Sequence, residues 1–227
     1  MLRVKLLIIA VLLVAVVLGS FAQEGALEAK IRELSGTVEL KQAGSAAWEN
    51  AVQGQSVAGD TTLSTGFKSS AVIAIGESLV TVRPLTRLSI TEISSRMGVE
   101  TINMSLQTGR VRPDVKPSTG NRTAFAVQTP PATASVRGTI FEVDAYSITV
   151  IEGSIEYKGV NGISVFVDSG GNSYVDQRTG RAVYPLETLR SSLAPELPLG
   201  FDSFYSFKGA EQRNNDIEVT GNITYKD

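Results

Sequence analysis

The chain has 227 residues, with 21 Lys and Arg against 23 Asp and Glu, and neither His nor Cys. A net charge of −2 supplies no basic field, which argues against a nucleic-acid or anionic-membrane partner held by charge. Without imidazole or thiol groups the commonest base, the strongest nucleophile, a disulfide framework and thiolate metal ligation are all excluded; a Ser-Lys pair or two carboxylates could still act, but no motif places them and few carboxylates cluster, so neither catalysis nor a cofactor or metal is expected.

Arg3 and Lys5 precede an unbroken apolar run from Leu6 to Leu18, followed by Gly19, Ser20, Phe21 and Ala22. This is a secretory signal pattern, with Ser20 and Ala22 as the small residues before a cut near Gln23. A bilayer core about 30 Å thick needs roughly 20 apolar residues in a helix. The run is shorter, so cleavage is favoured over an uncleaved anchor, the one route by which the chain would touch a membrane. Residues 1–22 contain two bases and no acid, so their removal leaves 19 basic and 23 acidic residues and a net charge of −4. Residues 23–30 read as a linker, 31–184 as one β-domain, and 185–227 as a C-terminal helix and tail.

Leu27, Ile31 and Leu34 have helical spacing, yet Ile31 also leads into a strand at Gly36-Thr-Val-Glu-Leu, so the first turn stays open between the two. Beyond it the period is two. Leu88 and Ile90, then Ile102, Met104 and Leu106 alternate with polar residues, and the same period of two returns in Ile148 and Val150 and in Ile163, Val165 and Val167. Gly, Asn and Pro break the runs, which makes the chain all-β, either a sandwich or a solenoid-like stack. The glycines keep no constant period and are expected at corners where a strand changes direction. In Thr129–Val143 two prolines fix the backbone at Pro130 and Pro131 and force a turn or edge, before Thr139, Phe141 and Val143 point to one face. Past Tyr184, Leu186, Leu189 and Leu193 line a short helix that Pro195 ends, and an aromatic segment and a polar end follow.

Most candidate site residues have a plain structural reading. Asp60, after Gly59, is expected to cap a turn through its side chain. Asp168, Gly170, Gly171, Asn172 and Asp176 fit no calcium-loop spacing and read as a hairpin connection. Trp48, the single tryptophan, is expected to pack in the core or at an edge, with carbohydrate stacking the lesser reading. Arg137 has the parity of Thr139 and Phe141. It therefore points inward to a structural ion pair with Asp60 or Glu152, unless Gly138 forms a bulge that turns it outward, where it could bind an anion. Phe201, Phe204, Tyr205 and Phe207 read as a strap over the β-domain or as a partner-docking peptide.

Three pieces line up along the chain in a set order. Gly36-Thr-Val-Glu-Leu leads to Trp48, then Gly59-Asp60 and Leu63-Ser-Thr-Gly66; next comes Gly76-Glu-Ser-Leu-Val with Val82-Arg-Pro84. Gly109-Arg-Val then precedes Phe125-Ala-Val-Gln-Thr-Pro130 and Val136-Arg-Gly-Thr-Ile-Phe-Glu-Val143. The order resembles the FecR domain, a periplasmic module first known from iron-citrate signalling regulators, across roughly Ile31 to Val175. Its signature would fall on Trp48, Gly59, Asp60, Gly66, Thr129, Pro130, Arg137, Gly138, Thr139 and Phe141. The resemblance implies a non-enzymatic all-β domain, periplasmic or at the cell surface, that relays a signal by contacting another envelope protein; a small ligand or glycan is the alternative. In the regulators a cytoplasmic region that holds a sigma factor precedes the domain. Only five residues precede the apolar run here, so the sigma-regulator role is not expected to carry over.

Overall fold

A computed structural model of the chain describes residues 27–186 and 188. The chain divides at Ser192, and every described residue lies on the amino-terminal side of that division. Among these residues 18 strands form two nine-stranded sheets, which the chain visits by turns. β1 (Ala29–Ser35) belongs to sheet I, β2 (Val38–Lys41) and β3 (Glu49–Asn50) to sheet II, β4 (Ser56–Val57) to sheet I and β5 (Thr61–Thr65) to sheet II. Hairpins then alternate: β6 (Ser70–Ile75) and β7 (Ser78–Val82) in sheet I, β8 (Arg87–Arg96) and β9 (Val99–Thr108) in sheet II. β10 (Arg110–Asp114) is a lone strand in sheet I, and β11 (Arg122–Gln128) with β12 (Ala132–Val136) returns to sheet II. β13 (Ile140–Asp144) and β14 (Ser147–Glu152) lie in sheet I, β15 (Ser154–Gly159) and β16 (Ser164–Asp168) in sheet II, β17 (Asn172–Asp176) and β18 (Arg181–Ala182) in sheet I.

Apart from local inversions at the amino-terminal end, strand order in each sheet follows chain order. Both expected architectures are thus present in one: a two-sheet sandwich that grows along its length as a solenoid does. Neighbouring strands pair antiparallel except β9 and β11, which run parallel because the chain crosses to sheet I as β10 between them. Alternation drives the packing. Ile73, Val80 and Val82 from sheet I and Leu88, Ile90 and Ile102 from sheet II are fully buried in one continuous core. Phe125 on β11 meets Phe141 on β13 edge to face, with centroids 6.3 Å apart and planes at 83°, which fixes the two sheets face to face. Each such large side chain contributes about 1.5–3 kcal/mol on burial.

The open question at the amino terminus resolves to strand. β1 pairs with β6 through a register shift between Ile31 and Glu33, so one extra residue brings Leu34 back toward the core three positions after Ile31. That bulge imitates helical spacing. β1 begins at Ala29, inside the stretch read as linker, and Leu27 packs against the core. Ile163 also departs from its strand reading: it precedes β16 and is exposed.

The chain changes sheets at tight corners. β9 passes to β10 through Gly109 alone (φ 87°), and β14 passes to β15 through Gly153 alone (φ 90°), backbone shapes that favour glycine. Each corner rests on a buried hydroxyl residue of another crossing. Thr86 Oγ1 accepts from Arg110 N–H at 3.0 Å beside Gly109, and Thr139 Oγ1 donates to the Ser154 carbonyl at 3.1 Å beside Gly153. The expected helix across Leu186, Leu189 and Leu193 lies outside the described residues except at its start, where Thr188 N–H donates to the Tyr184 carbonyl at 3.1 Å. Among the described residues no helix is long and apolar enough to cross a membrane.

Candidate functional site

Thr129–Val143 builds one side of a depression on the surface of sheet II. Thr129 N–H donates to the Ala132 carbonyl at 2.8 Å and Ala132 N–H returns to Thr129 at 3.4 Å, so Pro130 and Pro131 are the two-residue loop of the β11–β12 hairpin. Missing proline donors cost nothing at such a loop. β12 stops at Val136, and Arg137, Gly138 and Thr139 carry the chain to sheet I, where Phe141 and Val143 enter the core as expected. Arg137 therefore belongs to a crossing, and strand parity does not apply to it. Its side chain is exposed, and among the described residues it makes no ion pair, with Asp60, Glu152 or any other carboxylate. The expected buried ion pair is corrected to an unpaired surface cation. Gly138 needs no special backbone; its carbonyl lies against Gly153, where an added Cβ would stand 2.9 Å from it.

The strand register places one row of side chains on the outer face of sheet II. Asn103 (β9), Ala126 (β11), Ser135 (β12), Glu156 (β15) and Phe166 (β16) are successive cross-strand partners. Ala124, Ala126 and Ser135 are short, so the sheet sinks between taller neighbours into an open trough of about 510 Å³, with Arg137, Glu156 and Phe166 on its rim. Phe166 is 68% exposed. Asn103 Nδ2 donates to Glu92 Oε2 at 2.8 Å, and Ser164 Oγ donates to Glu156 Oε1 at 2.8 Å. The trough is polar and apolar by turns, and Arg137 is its one unpaired cation among the described residues.

A second depression, on sheet I, contrasts with it. Arg83 and Arg110 hold Glu142 at 3.3 and 3.1 Å, and Arg110 also holds Asp144 at 3.2 Å. Burial works against the Asp144 charge. Donation from Tyr146 N–H, from the Ser147 hydroxyl and N–H, and the nearby Arg110 outweigh it and hold the carboxyl below its ordinary range. These charges answer one another and carry architecture. Burial, then the Asp144 charge, pushes the Tyr157 phenol well above its usual range, and its O–H donates to the Tyr146 carbonyl at 3.3 Å.

The remaining sequence candidates are dispersed. Trp48 is 37% exposed just before β3, with Lys41 Nζ 6.0 Å and Arg87 Cζ 5.5 Å from its ring centre, an edge site already engaged by two cations. Asp60 makes its turn with a left-handed backbone (φ 59°), and its carboxylate takes no hydrogen bond among the described residues, so the side-chain cap is replaced by backbone shape. Gly66 N–H donates to the Thr37 carbonyl at 2.9 Å at another crossing. Asp168–Asn172 joins β16 to β17 across the sheets and is not a hairpin. Phe201, Phe204, Tyr205 and Phe207 lie outside the described residues. Sequence reasoning missed the trough itself, because its floor is a row of short residues made adjacent only by register.

Residues 61–156, from the first residue of β5 into β15, match the family model described as FecR protein. The chain carries a FecR domain. Two crystal structures, at 1.65 and 2.50 Å, of a protein provisionally described as an anti-sigma factor from Parabacteroides distasonis ATCC 8503 align with TM-scores of 0.44 and 19% identity. The alignment covers 54% of this chain and 57% of that one. No curated protein matches the chain. The matched segment supplies the strands that form the trough floor.

Proposed function

We propose that this FecR-domain protein is exported, has no catalytic role and acts in the cell envelope, periplasmic or at the surface, by contacting another protein through the sheet II trough. The row Asn103–Ala126–Ser135–Glu156–Phe166 carries this reading. It spans five strands, about 19 Å at the usual strand spacing, and is open along its length. A shape of this kind suits an extended or flat protein surface better than an enclosed small molecule. Arg137 supplies a cation for an acidic group on the partner, and Phe166 an apolar anchor.

Export rests on the pattern of residues 1–22, and the mass of the amino terminus in the purified protein tests it: a chain starting near Gln23 is expected. For the trough, a photocrosslinker at Ser135 is expected to capture a partner in intact envelopes, while one at Thr149 on the outer face of sheet I is not. Arg137→Glu and Ala126→Arg should each cut capture at least tenfold with the melting temperature unchanged. A saturable thermal shift with a glycan or small solute, without protein capture, would replace this reading with the ligand-binding one.

A further inference from the structure

Three of the four sheet edges end in strands of two residues, β3, β4 and β18. The fourth edge is β16, five residues reading Ser-Val-Phe-Val-Asp, with neither proline nor lysine to blunt it. Its register is fixed by β15, from Ser154↔Asp168 to Lys158↔Ser164. Gly159 N–H donates to the Ile163 carbonyl at 3.1 Å, so in an antiparallel ladder Val165 and Val167 turn their backbone groups toward β15. The N–H and C=O of Ser164 and Phe166 and the N–H of Asp168 therefore point outward. No other part of the described chain bonds to them. Beside this open ladder Val160, Ile163 and Phe166 are exposed, at 68%, 45% and 68%.

The strand is complementary to itself. In an antiparallel pair centred on Phe166, each outward-facing residue meets another: Phe166 meets Phe166, and Ser164 meets Asp168 in both directions. The buried face sets Val165 against Val167. No like charges stand opposite, and each Asp168 carboxylate faces a serine hydroxyl. We infer that β16 is the interface between two copies of this chain, joined by a two-fold axis at Phe166 into one continuous sheet II. This isologous contact pairs the outward N–H and C=O of each Phe166 with those of the other, and each Asp168 N–H with a Ser164 C=O. It also makes the two troughs neighbours on one surface. The inference does not depend on the trough as a partner site, and Arg137→Glu protein should self-associate as the parent does.

The absence of cysteine makes the register testable in the protein as it accumulates in cells. A hydrogen-bonded antiparallel pair sets Cα atoms about 5.5 Å apart, within disulfide reach. Phe166→Cys should thus form a disulfide dimer on mild oxidation. Ser164→Cys should not, because its two copies lie about 13 Å apart by strand rise. Sedimentation of the parent should show concentration-dependent doubling of mass. Phe166→Pro removes an outward N–H without touching the β15 ladder, so it should keep the melting temperature and raise the dimer midpoint at least tenfold; Phe166→Lys should do the same. A parent that stays monomeric, equal crosslinking at Ser164 and Phe166, or undiminished association in both the Pro and Lys variants would each overturn the inference.

Discussion

At the residue scale, two glycines that look alike in sequence differ in what they do. Gly109 has φ 87°, and an added Cβ there would overlap the Thr86 backbone and approach the Leu85 carbonyl at 2.7 Å. Gly138, which stands inside the family-like Val-Arg-Gly-Thr, has ordinary backbone, and the nearest atom to an added Cβ is Pro117 Cδ at 3.8 Å. A left-handed alanine costs about 1–2 kcal/mol and forced overlap a further 1–3 kcal/mol or so. Gly109→Ala is therefore expected to lose about 3 kcal/mol in denaturant unfolding followed by Trp48 fluorescence, whereas Gly138→Ala should change stability by less than about 0.5 kcal/mol. Arg137 makes the same point about legibility. Phe141 and Val143 were readable from alternation, but the direction of Arg137 depends on a crossing between sheets, which no local period encodes.

At the element scale, the β13–β14 hairpin is held by Asp144, which accepts from Tyr146 N–H at 2.9 Å and Ser147 N–H at 2.8 Å. Because its carboxyl titrates lower in the folded chain than in the unfolded one, its contribution is complete above the unfolded value of about 3.9. That contribution disappears as pH falls through the folded value. Asp144→Asn should thus be less stable than the parent at pH 7, and the gap in melting temperature should close progressively as pH falls below the unfolded value of about 3.9. A constant gap down to pH 2 would show that the side chain acts by shape alone. Elements of this kind were legible where hydrophobic alternation was regular, as in β9. They were obscured where a bulge added a residue, as in β1, since period-two reasoning has no place for the extra position.

At the scale of the molecule, the family-matched segment and the folding unit are different objects. Residues 61–156 begin at β5 and end within β15, so that segment alone lacks β1 beside β6 and β2 beside β5, and it lacks β16 beside β15. Core residues Ile31, Leu40, Val165, Val167 and Val175 would be missing, and four strands now internal, β5, β6, β14 and β15, would become open edges. The core is continuous from Ala29 to Ala182, so nothing along the sandwich marks a seam where it could be cut. A fragment of residues 61–156 is expected to aggregate or to bind a hydrophobic dye, while residues 27–188 should unfold in one cooperative transition. Phe125→Ala in that longer chain should lower stability by about 3–5 kcal/mol, because it removes the ring that meets Phe141 across the two sheets. Removing β17 and β18 with a stop after Gly171 should destabilise less than removing β1 and β2, because β17 and β18 form one end of sheet I, whereas β1 lies between β4 and β6 and β2 between β3 and β5 inside their sheets. Equal losses from the two truncations, measured by calorimetry, would mean that the sandwich folds as an undivided whole and not by nearest-neighbour growth.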